Sequence, residues 1–170
     1  MTTVVVYETM YGSTRDVARA IAEGCGAAGE VALAEVGELV AGASPALPDG
    51  TTLLVVGGPT HAFSMSRPGT RRDAGTYGRP LSQTGVREWL ATLTLPAGLP
   101  VAAFCTKLDS PLSGSAARAI ALRLRRLGGR LVAPAADFHV RGAQPVLVDG
   151  ELERARAWGA SLVAAPPSAR

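Results

Sequence analysis

The sequence predicts an α/β protein: a doubly wound, five-stranded parallel sheet in a three-layer α/β/α sandwich. Three observations carry this. Short β-branched runs alternate with helix-period segments along the whole chain, and that alternation is the mark of a parallel sheet with helical crossovers. The strand runs are apolar throughout, as strands covered on both faces must be. The length, 170 residues, suits one domain at roughly 100–200 residues each; it is placed at residues 1–165, with a flexible tail over 166–170.

Residues 3–8 (TVVVYE) form a first, buried strand. Residues 14–28 read as a helix with Val17, Ile21, Cys25 and Ala28 on one face and Arg15, Arg19 and Glu23 elsewhere; Gly29 caps it. Residues 30–36 (EVALAEV) make a weaker strand, and the Pro- and Gly-containing stretch 42–50 is a connection. Residues 52–57 (TLLVVG) are the clearest buried strand. Residues 58–82 lack apolar periodicity, and so long an aperiodic stretch in a compact domain points to function. Val86, Trp89, Leu90 and Leu93 mark a helix at 84–94, stopped by Pro96 and Gly98. Residues 100–105 (PVAAFC) form a fourth strand and 114–128 a helix with Ala117, Ile120, Ala121 and Leu124 inward. A fifth strand lies within 130–138, interrupted by Pro134. Asp149, Glu151 and Glu153 open a last helix that runs to about 165, since acids suit the positive helix end; Leu152, Ala155, Trp158 and Leu162 are its core positions.

Composition excludes several classes. No apolar run approaches the roughly 18 residues of a membrane helix, and MTTVVVYE has no basic start for a signal peptide. Cys25 and Cys105 form no framework, which points to a reducing, cytoplasmic setting. Two cysteines and two distant histidines do not make a zinc site. Sixteen of the 17 basic residues are arginine and the net charge is +3, which permits acidic partners. With 5% aromatics and no recognition motif among the arginines, nucleic acid is not expected.

In a doubly wound sheet, ligands bind beyond the strand carboxyl ends. The loops that matter are then 9–14, 58–82 and 106–114. The first joins a strand to a helix start, where unpaired N–H groups and the helix dipole favour an anion. Thr9, Ser13 and Thr14 add hydroxyls, and Gly12 allows close approach. This set suits a phosphate; ordinary capping by Ser13 or Thr14 is the alternative. GxxxxGK[ST] is absent, which argues against triphosphate hydrolysis. Gly24-Cys25-Gly26-Ala27-Ala28-Gly29 spells GxGxxG but closes a helix instead of opening one, so it reads as small residues at a helix end.

The segment VVVYETMYGSTRDVARAIAEG resembles the opening of flavodoxin-like proteins, in which the first strand runs into a phosphate loop. VVGGPTHAFSMS resembles that family's loop after strand three, most closely its PT-x-x-x-x-M form in flavodoxin-like quinone reductases, a branch in which the first loop's MYG also occurs. The resemblance implies strand order 2-1-3-4-5 and FMN as cofactor. It implies that Thr9, Met10, Tyr11, Gly12, Ser13 and Thr14 hold the FMN phosphate. Pro59, Thr60, His61, Ala62 and Phe63 would line the flavin, and Thr106, Lys107, Leu108 and Asp109 would close the other side. Three features depart from the family: Tyr11 stands where many members have Thr or Ser, the loop after strand four has no aromatic, and the chain is basic.

No catalytic residue stands out. His61 is a candidate for proton transfer or a solvated loop histidine. Lys107 is a candidate for holding negative charge on a reduced flavin or a surface lysine. Arg67, Arg71, Arg72 and Arg79 could clamp an acidic substrate or form a solvated lid. His139 reads as structural, Trp89 and Trp158 as packing, and Arg118, Arg123, Arg125 and Arg126 as the wet sides of a helix. Three functions follow: an electron carrier between redox partners, an FMN-dependent NAD(P)H:quinone-type oxidoreductase, or a flavin-free interaction module. The partner is a redox protein or a small electron donor or acceptor, with no membrane insertion and the oligomeric state open. Cations near the flavin (Arg15, Lys107 and the loop arginines) would make its last reduction step less negative than in acidic members.

Overall fold

Five apolar runs become the parallel core of one sheet in the computed structural model, which describes residues 1–41, 47–77 and 81–164. Part of the 42–50 connection, Arg79 and the 166–170 tail lie outside the described residues. The principal strands are β1 (Thr2–Tyr7), β2 (Glu30–Glu35), β3 (Leu53–His61), β5 (Pro100–Leu108) and β7 (Ala136–Arg141). Three two-residue strands join them: β4 (Ser64–Met65), β6 (Arg130–Leu131) and β8 (Val146–Leu147). The order is β2-β1-β3-β5-β7-β8, with β4 on β3 and β6 on β5. Principal neighbours are parallel: Val5 lies opposite Leu33 and Val55, and Val56 opposite Ala103. The chain reverses between β1 and β3, and the crevice beyond that point is where this architecture places a ligand.

The helices are α1 (Ser13–Cys25), α2 (Val36–Ala41), α3 (Pro68–Ala74), α4 (Val86–Thr92), α5 (Ala116–Arg126) and α6 (Glu151–Ala164). Because strand side chains alternate faces, the sheet divides its apolar residues between two cores. Val4, Val6, Leu54, Val56, Val101 and Ala103 pack under α4 and α5, against Trp89, Leu90, Ile120 and Leu124. Val5, Val55, Ala102, Phe104 and Phe138 pack under α1 and α6, against Val17, Ile21, Ala155 and Leu162. Trp158 closes the second core edge-on to Phe104 and Phe138. Each fully buried Val, Leu or Phe contributes on the order of 1.5–3 kcal/mol, so the two cores hold the strand ends in place.

Three expectations are corrected. Residues 58–82 are not a bare loop. β3 runs on to His61, turns through Ala62 and Phe63, pairs back as β4, and is followed by α3 and a 3-10 turn, Gly75–Tyr77. The elements are short, so no apolar period could announce them. The fifth strand lies beyond Pro134, because proline cannot donate to the ladder; only Arg130–Leu131 pairs before it. β7 then returns antiparallel as β8, a hairpin the sequence reading did not contain.

Candidate functional site

The loop from Thr9 to Gly12 carries β1 into α1 at the carboxyl edge of the sheet. Gly12 has φ 107°, ψ −16°, a left-handed conformation that only glycine adopts without cost. The Gly12 amide donates to the Thr9 hydroxyl at 3.0 Å, and its carbonyl accepts from Asp16 N–H at 3.0 Å, starting the helix. The first-turn amides have no acceptor inside the helix, and the dipole favours an anion there. The Arg15 guanidinium folds back over Gly12: a Cβ placed on Gly12 would lie 2.9 Å from Arg15 Nη2. Arg15 also pairs with Asp16 at 3.2 Å.

This loop forms one wall of an open cavity of about 90 Å³. Thr9, Met10, Tyr11, Ser13 and Thr14 face Pro59, Thr60 and His61 from β3 and Thr106, Lys107 and Leu108 from β5. The resemblance therefore named residues that three separate strand ends bring together. The Thr14 and Thr106 hydroxyls meet at 2.7 Å, which fastens α1 to β5. That bond uses one of their two protons, so the other remains for an incoming acceptor. The Ser13 hydroxyl is already engaged across the cavity: it donates to the Pro145 carbonyl at 2.7 Å.

Other named residues fall elsewhere. Ala62 (φ 44°) and Phe63 (φ 71°) are both left-handed and form the two-residue tip of the β3–β4 hairpin, a turn that usually takes Asn-Gly. Both stay out of the cavity wall, and Phe63 is 70% exposed. Asp109 also lies outside it, paired with Arg141 at 3.1 Å. Lys107 is not a surface lysine: its side chain is 11% exposed, lines the cavity and sits 3.8 Å from the Asp137 carboxylate. Arg71 is nearly buried and paired with Glu88 at 3.0 Å. The expected surplus of free cations is thus largely answered by adjacent acids at Arg15, Lys107 and Arg71. His61 is held below the usual histidine range, first by burial and then by Arg71. A backbone hydrogen bond with Thr70 pulls the other way.

Sequence reasoning missed the last wall, Val140 and Pro145 from the β7–β8 hairpin. Gly142 and Pro145 between Val140 and Val146-Leu147 were the signal for that turn. It also missed a buried polar web under the loop. Glu8, the last residue before Thr9, is 1% exposed. Its carboxylate accepts from Ser66 Oγ and from Val86 N–H at 2.8 Å. Arg71 Nη1 donates to Ser66 Oγ at 2.7 Å and to Glu88 at 3.3 Å. Ser82 accepts from Thr9 N–H at 2.9 Å and donates to Glu35 at 2.6 Å. Tyr11 donates its hydroxyl proton to the Ala74 carbonyl. These bonds tie Ser66, Ala74 and Ser82 to β1 and the loop that follows it. The signal was an acid ending an apolar strand.

Burial pushes the Glu8 carboxyl above its ordinary 4.5, against the opposing pull of the Ser66, Val86 and Arg71 contacts. Its stabilising contribution is complete below about pH 4.5 and is lost as pH rises through the folded-state value. Relative to the wild type, Glu8→Gln is therefore expected to gain stability from pH 4 to pH 8. Urea denaturation at both pH values measures this; a constant or falling difference contradicts it.

No protein-family model and no curated protein matches the chain. Solved structures do. A flavodoxin from the domain Archaea superposes with TM-score 0.64 at 19% identity, over 96% of each chain. Flavodoxin 1 from Bacillus cereus gives TM-score 0.69 at 16% identity, over 96% of this chain and 97% of that one. The flavodiiron protein from Giardia intestinalis gives 0.62 at 22% identity, over 95% of this chain and 35% of that one. The chain has the flavodoxin-like fold.

Proposed function

We propose that the chain binds FMN through the Thr9–Thr14 loop and carries electrons between redox partners. One observation supports this above the others: a helix N-terminus opened by a left-handed glycine, with the Arg15 guanidinium folded over it, at the edge where the sheet order reverses. The residues fit the group. The first-turn amides, the Thr9 hydroxyl and one proton of the Thr14–Thr106 pair are donors suited to a phosphate, and charge-assisted bonds of this kind are the strong ones. Bound FMN would supply one- or two-electron transfer. The protein's share is positioning. Pro59, Thr60 and His61 form one wall, Lys107 and Leu108 the other, and Tyr11 and Glu8 hold the loop to its neighbours.

The compensated charges change one expectation. With Arg15, Lys107 and Arg71 each beside an acid, these cations supply little net field at ordinary ionic strength. The upward shift in potential read from the sequence is therefore not kept.

A second reading, an FMN-dependent NAD(P)H:quinone-type oxidoreductase, is favoured by His61 in the cavity wall, which burial holds below its ordinary range. Two measurements separate the readings. The purified protein, given FMN and desalted, is expected to retain the visible absorption of flavin. Steady-state NAD(P)H oxidation with a quinone is expected only for the enzyme. A colourless protein that leaves FMN fluorescence unquenched supports the third reading, a flavin-free interaction module. The cytoplasm is the compartment that goes with all three.

A further inference from the structure

The net charge of +3 hides a strong segregation. From Ser110 to Ala136 the chain has five arginines and no acidic residue. Four of them, Arg118, Arg123, Arg125 and Arg126, lie on α5, and Arg130 follows at the start of β6. Arg123 is half-buried and the other four are exposed. Among the described residues none of these five side chains has a hydrogen bond or ion pair. Several cations elsewhere are matched: Arg141 with Asp109 at 3.1 Å, Arg156 with Glu23 at 2.7 Å, Arg71 with Glu88 at 3.0 Å.

Helix geometry gathers these charges. At about 100° per residue, Arg118, Leu122 and Arg126 follow one another along the solvent-facing side of α5. Arg123 and Arg125 flank them, and Ile120, Ala121 and Leu124 point into the core. Helix stability does not ask for this arrangement. Arg118 sits in the first turn, where a cation opposes the dipole and no acid offsets it. Arg123 and Arg126 suit the last turn but repel each other.

We propose that α5, with Arg130, is an electropositive docking ridge for an acidic protein partner. The ridge is a row of guanidinium groups on one helix, the side chain best matched to carboxylates in pairs. None of the ridge's own positions, 115–130, is an aromatic on which single-stranded nucleic acid could stack. On α5 itself Leu122, at 48%, is the one exposed large apolar side chain, and the vesicle probe below separates a lipid surface from a protein one. Near the start of the ridge lie exposed apolar side chains: Phe63 and Leu112 are 70% and 80% exposed. Phe63 bridges to Gly114, the residue before the α5 N-cap Ser115. Apolar contacts beside a charged rim are the usual anatomy of a protein interface. The assignment does not depend on the flavin reading, and its test reads binding alone, so the two can fail separately.

The probes are labelled poly-L-glutamate, duplex DNA and phosphatidylserine vesicles at one ionic strength. The wild type is expected to bind poly-L-glutamate most tightly. The variant R118Q/R123Q/R125Q/R126Q is expected to lose about tenfold or more in that affinity. R19Q/R72Q/R141Q/R156Q removes the same four charges elsewhere and is expected to stay within about twofold. Arg118→Gln alone, which removes a cation from the wrong end of a helix, is expected to weaken binding without lowering thermal stability. The proposal is overturned by equal losses in the two fourfold variants, by tighter binding to DNA or vesicles, or by no binding of poly-L-glutamate.

Discussion

Replacing Gly12 with valine is expected to lower FMN affinity by at least about 100-fold, which is about 2.7 kcal/mol. Two effects add. At φ 107° a side chain costs on the order of 1–2 kcal/mol, more for a β-branched residue, so the loop relaxes and its amides lose their common focus. The new side chain also meets Arg15, whose Nη2 would lie 2.9 Å from the added Cβ, and pushes the cation off the loop. The core contacts of α1 (Val17, Ile21) are untouched, so circular dichroism is expected to remain that of the folded protein. Fluorescence quenching of added FMN reads the affinity. A folded variant that quenches FMN as the wild type does removes this loop from the binding site.

The second large effect lies far from the cavity. At Gly24 α1 touches α6: an added Cβ would overlap the Arg156 carbonyl oxygen and lie 2.8 Å from Ala160 N. On the facing helix, a Cβ at Gly159 would lie 3.0 Å from the Ile21 carbonyl carbon. The Cys25 thiol closes the same contact by donating to the Gly159 carbonyl at 3.4 Å. The obstacles are backbone, so neither helix can yield locally. Gly24→Val is expected to force the helices apart and destabilise the fold by about 3 kcal/mol or more, measured by urea denaturation. Gly26→Ala, whose Cβ would have nothing within 4 Å, is the matched control and is expected to change stability by less than about 1 kcal/mol. Equal losses at the two positions contradict this account of the contact.

That contact also explains the GxGxxG spelling. Gly24 serves helix packing near the end of α1, in keeping with the reading of the motif as small residues that close a helix. The five parallel strands were legible because buried parallel strands are written as local apolar runs such as Val4–Val6 and Leu53–Val56. The cavity walls from β1, β3 and β5 were legible because strand ends must supply them. Three things were not. The Ala62–Phe63 turn uses residues that do not announce a left-handed turn. The β7–β8 hairpin has only two residues in its second strand. The web around Glu8 joins residues 58 and 78 positions apart, which no local pattern can show. The charge of the site was misread for the same reason: Lys107 and Asp137 are far apart in the chain and adjacent in space.

The central claim is that a phosphate is anchored where α1 begins. The most direct measurement titrates the protein with FMN and with riboflavin, which carries the same ring and no phosphate, and follows flavin fluorescence. FMN is expected to bind at least about 100-fold more tightly, since several charge-assisted bonds of about 1.5–3 kcal/mol each are at stake. Equal affinities for the two flavins would contradict the account.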